Sequence, residues 1–160
     1  MNKIIILFCL LTTISVFSQG NIPNVDLKTM EGKTISFHEV TDQNNIVIIS
    51  LWATCCVPCI KELDAISDVY EEWQEETGVE LIAISVDDSR TVKRVKSLIN
   101  GKGWDYQILL DTNNDLKRAL GASTVPLTIV VKDNEIVLRH SGYSPGSEDE
   151  LYEKIKELTL

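Results

Sequence analysis

The sequence predicts an α/β sandwich with a mixed central sheet. Continuous apolar runs of strand length alternate with segments of helical period, the pattern of strands covered on both faces by helices. The last third changes character, to two apolar runs joined by a tight turn and then one amphipathic helix. At 160 residues and 44% hydrophobic, the chain suits one domain with a real core.

Each element follows from local pattern. Residues 24–37, with Gly32 at the turn, read as a short hairpin. Residues 46–52 form an uninterrupted apolar strand. Ile60, Leu63, Ile66, Val69, Tyr70 and Trp73 recur at helical spacing, predicting one amphipathic helix over 59–76. Residues 81–86 are the next buried strand. Ser89 is placed to cap a helix that turns Val92, Val95 and Ile99 inward. Residues 108–110 are a short strand, and Leu116, Ala119 and Leu120 mark a brief helix ending at Gly121. Val125-Pro126 leads into a strand over 127–131, Asp133-Asn134 is a hairpin turn, and residues 136–138 pair back. Ser147 and Glu150 have capping-box spacing, ahead of a helix that buries Leu151, Ile155 and Leu158.

The N-terminus stands apart. Lys3 precedes an apolar stretch from Ile4 to Leu11, and Val16-Phe17-Ser18 offers a cleavage site, so residues 1–18 read as a secretory signal peptide and 19–160 as the domain. That stretch is too short for a comfortable membrane span. Lipid anchoring at Cys9 is disfavoured, because Phe8 stands where a lipobox needs a small residue. Export implies a periplasmic or cell-envelope location, soluble after cleavage. The net charge of −9 argues against nucleic acid and anionic lipid as partners.

The chemistry lies in Trp52-Ala53-Thr54-Cys55-Cys56-Val57-Pro58-Cys59. A thiol at a helix N-terminus is favoured as thiolate by the helix dipole. A second thiol three residues on lies about one turn along and can close a disulfide. This context points to reversible dithiol–disulfide exchange. The competing assignment, half of a zinc site, needs two further ligands, and His38 and His140 show no ligand spacing. No metal and no cofactor is therefore expected. Of the three cysteines beyond the leader, one is left unpaired.

Four motifs together resemble thioredoxin-fold proteins, and more narrowly the exported TlpA/ResA-type thiol–disulfide oxidoreductases. They are the hairpin carrying Gly32-Lys33-Thr34, the stretch Trp52-Ala53-Thr54 followed by Cys56-Val57-Pro58-Cys59, Glu62, and Val125-Pro126. The resemblance covers nearly all of the chain after the leader. It implies a three-layer α/β/α sandwich with a mixed central sheet and an N-terminal hairpin. Cys55 departs from the family's usual aromatic, and Ser50 stands where relatives carry Asp or Asn.

The resemblance implies roles. Cys56 is the nucleophile and Cys59 the resolving thiol, joined as a redox disulfide. Pro126 is expected in a cis peptide beside that disulfide, where an extended substrate pairs with the preceding backbone; the plain alternative is a trans proline starting a strand. Glu62, one turn beyond Cys59, is a proton shuttle if partly buried and a surface residue otherwise. Trp52, Cys55, Val57, Pro58 and Val125 are expected to line the substrate groove. For Cys55 the plain assignment is a small buried hydrophobe; the sharper one is that a lost aromatic widens the groove. Asp87-Asp88 is expected to serve the following helix N-terminus rather than a metal.

The expected function is an exported reductase of protein disulfides, serving cytochrome c maturation or general thiol repair. No His lies between the cysteines, where strong oxidants of this fold carry one. Its partners would be disulfide-bearing proteins and a membrane thiol electron donor. Two alternatives stand beside it. A peroxiredoxin-like peroxide reductase places Thr or Ser three residues before its reactive Cys, whereas Thr54 is two before Cys56. A non-catalytic thioredoxin-fold binding module would not need both thiols.

Overall fold

A computed structural model describes residues 20–42 and 46–160. The expected signal peptide, its cleavage site and Cys9 lie outside the described residues. The elements are β1 (Gly20–Asn21), β2 (Asp26–Thr29), β3 (Thr34–Ser36), α1 (Phe37–Thr41), β4 (Val47–Trp52), α2 (Val57–Ser67) and α3 (Tyr70–Thr77). They continue with β5 (Glu80–Ser85), α4 (Lys93–Lys102), β6 (Gln107–Leu110), α5 (Asp115–Ala119), β7 (Leu127–Lys132), β8 (Glu135–Ser141) and α6 (Ser147–Thr159).

One sheet runs in the order β1-β8-β7-β4-β5-β6-β2-β3. The centre β4-β5-β6 is parallel, and β7 joins β4 antiparallel. The N-terminal hairpin is more than an edge pair, because β2 also pairs with β6 and extends the sheet. Asp133 and Asn134 take positive φ (51° and 61°) in the β7–β8 turn, as a two-residue hairpin with right-handed strand twist requires.

The uninterrupted apolar run of β4 follows from coverage on both faces. Val47, Ile49 and Leu51 enter the core shared with Phe37, Val40 and Leu116 of α1 and α5. Ile48 and Trp52 enter the opposite core with Leu63, Ile66, Trp73, Val95 and Ile155, from α2, α3, α4 and α6. The alternation is the period-2 geometry of a strand. These two cores and the sheet between them make the expected three-layer α/β/α sandwich.

Three local expectations change. The single helix over 59–76 is two helices, because the chain tightens at Asp68-Val69, where the Val69 N–H bonds back only three residues to Ile66. The tightened turn lets Tyr70 and Trp73 reach the core. Ser89 caps nothing: the Asp88 carbonyl takes the amides of Thr91 and Val92, its carboxylate takes that of Arg90, and α4 starts at Lys93 without a side-chain cap. The Ser147/Glu150 capping box is likewise absent. Gly146, at φ 96°, is the N-cap, and the Ser147 hydroxyl accepts from the Ser144 N–H instead.

Candidate active site

The site forms where β4 and β5 end side by side. Parallel pairing sets Trp52 opposite Ser85, so the loops leaving both strands meet. Such carboxyl ends are where open α/β sheets place their chemistry. From β4 the chain turns through Thr54 and Cys55 and enters α2 with Cys56 as N-cap and Pro58 in the first turn. The fixed φ of proline suits that position, and its missing N–H costs nothing there.

Cys56 and Cys59 are joined as a disulfide, with Cα atoms 5.3 Å apart. Cys56 is half-buried, and its Sγ accepts from the Cys59 N–H at 3.3 Å. Cys59 is fully buried. The two sulfurs therefore differ in access: only Cys56 is within reach of a partner. Across the disulfide, the Val125 carbonyl oxygen lies 3.6 Å from Cys56 Sγ, and the Val125–Pro126 peptide is cis.

Glu62 lies three residues beyond Cys59 on the same helix and is 4% exposed. Thr128 Oγ1 donates to its Oε1 at 2.7 Å, and Ser50 Oγ donates to Oε2 at 3.1 Å. Burial pushes its carboxyl above the usual range, and those two hydroxyls oppose the shift without cancelling it. Glu62 is thus neither a solvated surface residue nor an ion pair. Ser50, read from sequence only as a departure from relatives, is one of its two anchors.

Asp87 stands on the other side of the site, also 4% exposed. Its carboxylate accepts from the Thr54 N–H (2.8 Å), Thr54 Oγ1 (2.6 Å) and Ser85 Oγ (2.9 Å). Burial acts to raise its pKa, but the hydrogen bonds from Thr54, Thr91 and Ser85 outweigh it and hold the carboxyl below its ordinary value. The expectation that Asp87 serves a helix N-terminus is corrected: it braces the loop that carries Cys56. The signal for this was the strand register, since residues two beyond the facing pair Trp52 and Ser85 are Thr54 and Asp87.

The expected groove residues divide. Val57 is 62% exposed, Pro58 is exposed and Val125 is half-exposed, all around the disulfide. Cys55 is a free, exposed thiol, so its assignment as a small buried hydrophobe is corrected; it sits in the turn before α2, facing solvent rather than either core. Trp52 is fully buried and lines no groove. As the last residue of β4 it points into the α2 core, edge-on to Trp104 at 5.3 Å. Among the described residues, no cluster of three or more His, Cys, Asp or Glu side chains has the arrangement of a metal site.

Residues 19–140 match the AhpC/TSA family. The chain belongs to that family. Within it, the chain is 29% identical over 136 residues to the thiol-disulfide oxidoreductase ResA of Halalkalibacterium halodurans, covering 84% of this chain and 73% of that one. An uncharacterized thioredoxin-like protein from Porphyromonas gingivalis is 45% identical, with a TM-score of 0.77 over 86% of this chain and 91% of the other. StoA from Bacillus subtilis shares the fold at a TM-score of 0.66 and 22% identity, over 82% of this chain and 97% of its own. This AhpC/TSA protein is a thioredoxin-fold thiol–disulfide oxidoreductase, with its CxxC pair at disulfide distance.

Proposed function

We propose that this oxidoreductase is an exported reductase of protein disulfides. The Cys56–Cys59 disulfide at the mouth of α2, with one sulfur accessible and the other buried, carries that reading. In the reduced enzyme the Cys56 thiolate attacks a substrate disulfide, forming a mixed disulfide and releasing one substrate thiolate. Cys59, deprotonated, then attacks Cys56 Sγ. The Cys56–Cys59 bond forms, the mixed disulfide breaks, and the second substrate thiolate leaves with the electron pair. Glu62 takes the Cys59 proton, and its raised pKa makes it a better proton acceptor than an ordinary carboxylate. An extended substrate segment lies along Val125–Pro126, against Val57, Pro58 and Cys55. The exposed Cys55 leaves room where relatives hold an aromatic. Two electrons must return the enzyme to its dithiol form, and a membrane thiol carrier outside the cytosol would supply them. Cytochrome c maturation and general thiol repair both present substrates of this chemistry.

The absence of a histidine between the cysteines supports the reducing direction. Against peroxide reduction, the Thr54 hydroxyl is committed to Asp87. The test is to equilibrate the couple against glutathione and dithiothreitol and to follow insulin reduction. A reductase has a potential below that of glutathione, loses all activity on Cys56→Ser, and accumulates a mixed disulfide on Cys59→Ser. A potential above glutathione would make it an oxidant. Peroxide consumption without insulin reduction would make it a peroxidase.

A further inference from the structure

A cleft of about 460 Å³ opens on the α2 side of the sheet, between β7, β8 and α6. Glu62 and Thr128 are its buried floor, and Ile66, Leu138 and Leu151 supply apolar walls. His140, on β8, is an exposed member of the same lining. The sheet register sets His140 directly opposite Thr128. Cross-strand partners project to the same face, so the imidazole and the hydroxyl that holds Glu62 share one wall.

We propose that His140 is a positioning residue of the redox site: from the mouth of the cleft it sets the charge of Glu62, and through it the pH range in which Cys59 is deprotonated. This rests on Glu62 taking the Cys59 proton, as proposed above. The other charges around the cleft cannot supply such a switch. Arg139 and Lys154 are cationic, and Glu148, Glu150 and Glu153 anionic, groups whose ordinary ionisation lies well away from neutrality. Tyr143, which bonds Glu148, is pushed up to about 12 by burial and by that carboxylate, so it stays neutral. An imidazole is the side chain whose ordinary ionisation falls near pH 7. Charged, His140 favours the Glu62 carboxylate, while Glu148 opposes it.

The test uses the full protein and two substitutions of opposite sign. Glu62 is followed by carboxyl carbon NMR from pH 4 to 9, and the pH profile of insulin reduction is measured separately. The Glu62 midpoint should lie higher in His140→Gln than in His140→Lys, by about half a pH unit, less than a buried contact pair gives. The pH profile of insulin reduction should differ between the two variants in the same order, and in a Glu62→Gln background that difference should vanish. Equal midpoints in the two variants, or a higher midpoint in His140→Lys, overturn the proposal. The expected order of midpoints in a protein that fails to reduce insulin would support the coupling and overturn the reductase reading instead.

Discussion

Glu62 and Asp87 are both 4% exposed, on either side of one dithiol, yet the Glu62 carboxyl lies deeper and their pKa values move in opposite directions. The difference lies in the balance between burial and donors. Glu62 meets two hydroxyls, and its burial outweighs them. Asp87 accepts from the Thr54 and Ser85 hydroxyls and the Thr54 backbone N–H, Thr91 adds a further hydroxyl, and together they outweigh its burial. Asp87 is therefore held toward its charged form as it pins a loop, while Glu62 binds its proton more firmly than an ordinary carboxyl. What a carboxylate does in a site follows from how far its donors offset its burial.

The largest break in this comparison should come from Glu62→Gln. It keeps the shape and the hydroxyl contacts but cannot exchange a proton. Insulin reduction should fall about 100-fold, the scale of a lost general acid–base group. A Gln variant as fast as the native enzyme would reduce Glu62 to a packing residue.

Asp87→Ala should act on stability first. It strands the Thr54 amide and two hydroxyls, at a cost of about 2–3 kcal/mol. Urea unfolding would read this as a lower midpoint at unchanged slope. Asp87→Asn, which keeps one acceptor oxygen, should lose roughly half as much. A rate collapse without a stability loss would place Asp87 in the chemistry instead.

The smallest and sharpest difference is in pH dependence. The lowered pKa of Asp87 means that its contribution to stability is complete above the ordinary Asp value of 3.8 and is lost as pH falls through its folded value. The raised pKa of Glu62 has the opposite sign: its contribution is complete below the ordinary value of 4.5 and is lost as pH rises through its folded value. Denaturant titrations across pH should therefore show a flatter acid limb in Asp87→Asn and, as pH rises above 4.5, a flatter decline in Glu62→Gln. Identical limbs in both variants would remove the distinction.

Signals that travel along the chain were legible in sequence. The Cys56-to-Cys59 spacing and the two-sided apolar run of β4 are both local, and each landed where its pattern put it. The helix over 59–76 misled because its apolar spacing runs unbroken through a turn that tightens at Val69. Trp52 misled differently: its place beside the active-site loop suggested a groove, but strand alternation turns it into the core. Thr54 and Asp87 are 33 residues apart, Glu62 and Thr128 are 66 apart, and Cys56 and Val125 are 69 apart. No pattern in a short window records such pairs.

By itself, then, the amino-acid order determined a dithiol at a helix entrance, the strands and helices that carry it, and the sandwich they form. Those follow from periodicity, turn chemistry and spacing, which act between near neighbours. Only the tertiary structure decided which carboxylate is held charged and which can take a proton. That choice depends on strand order and register, which bring Ser50 and Thr128 to Glu62, and Thr54 and Ser85 to Asp87. A pKa is set by the groups within a few ångströms of the acid, and in this fold most of those groups come from distant parts of the chain.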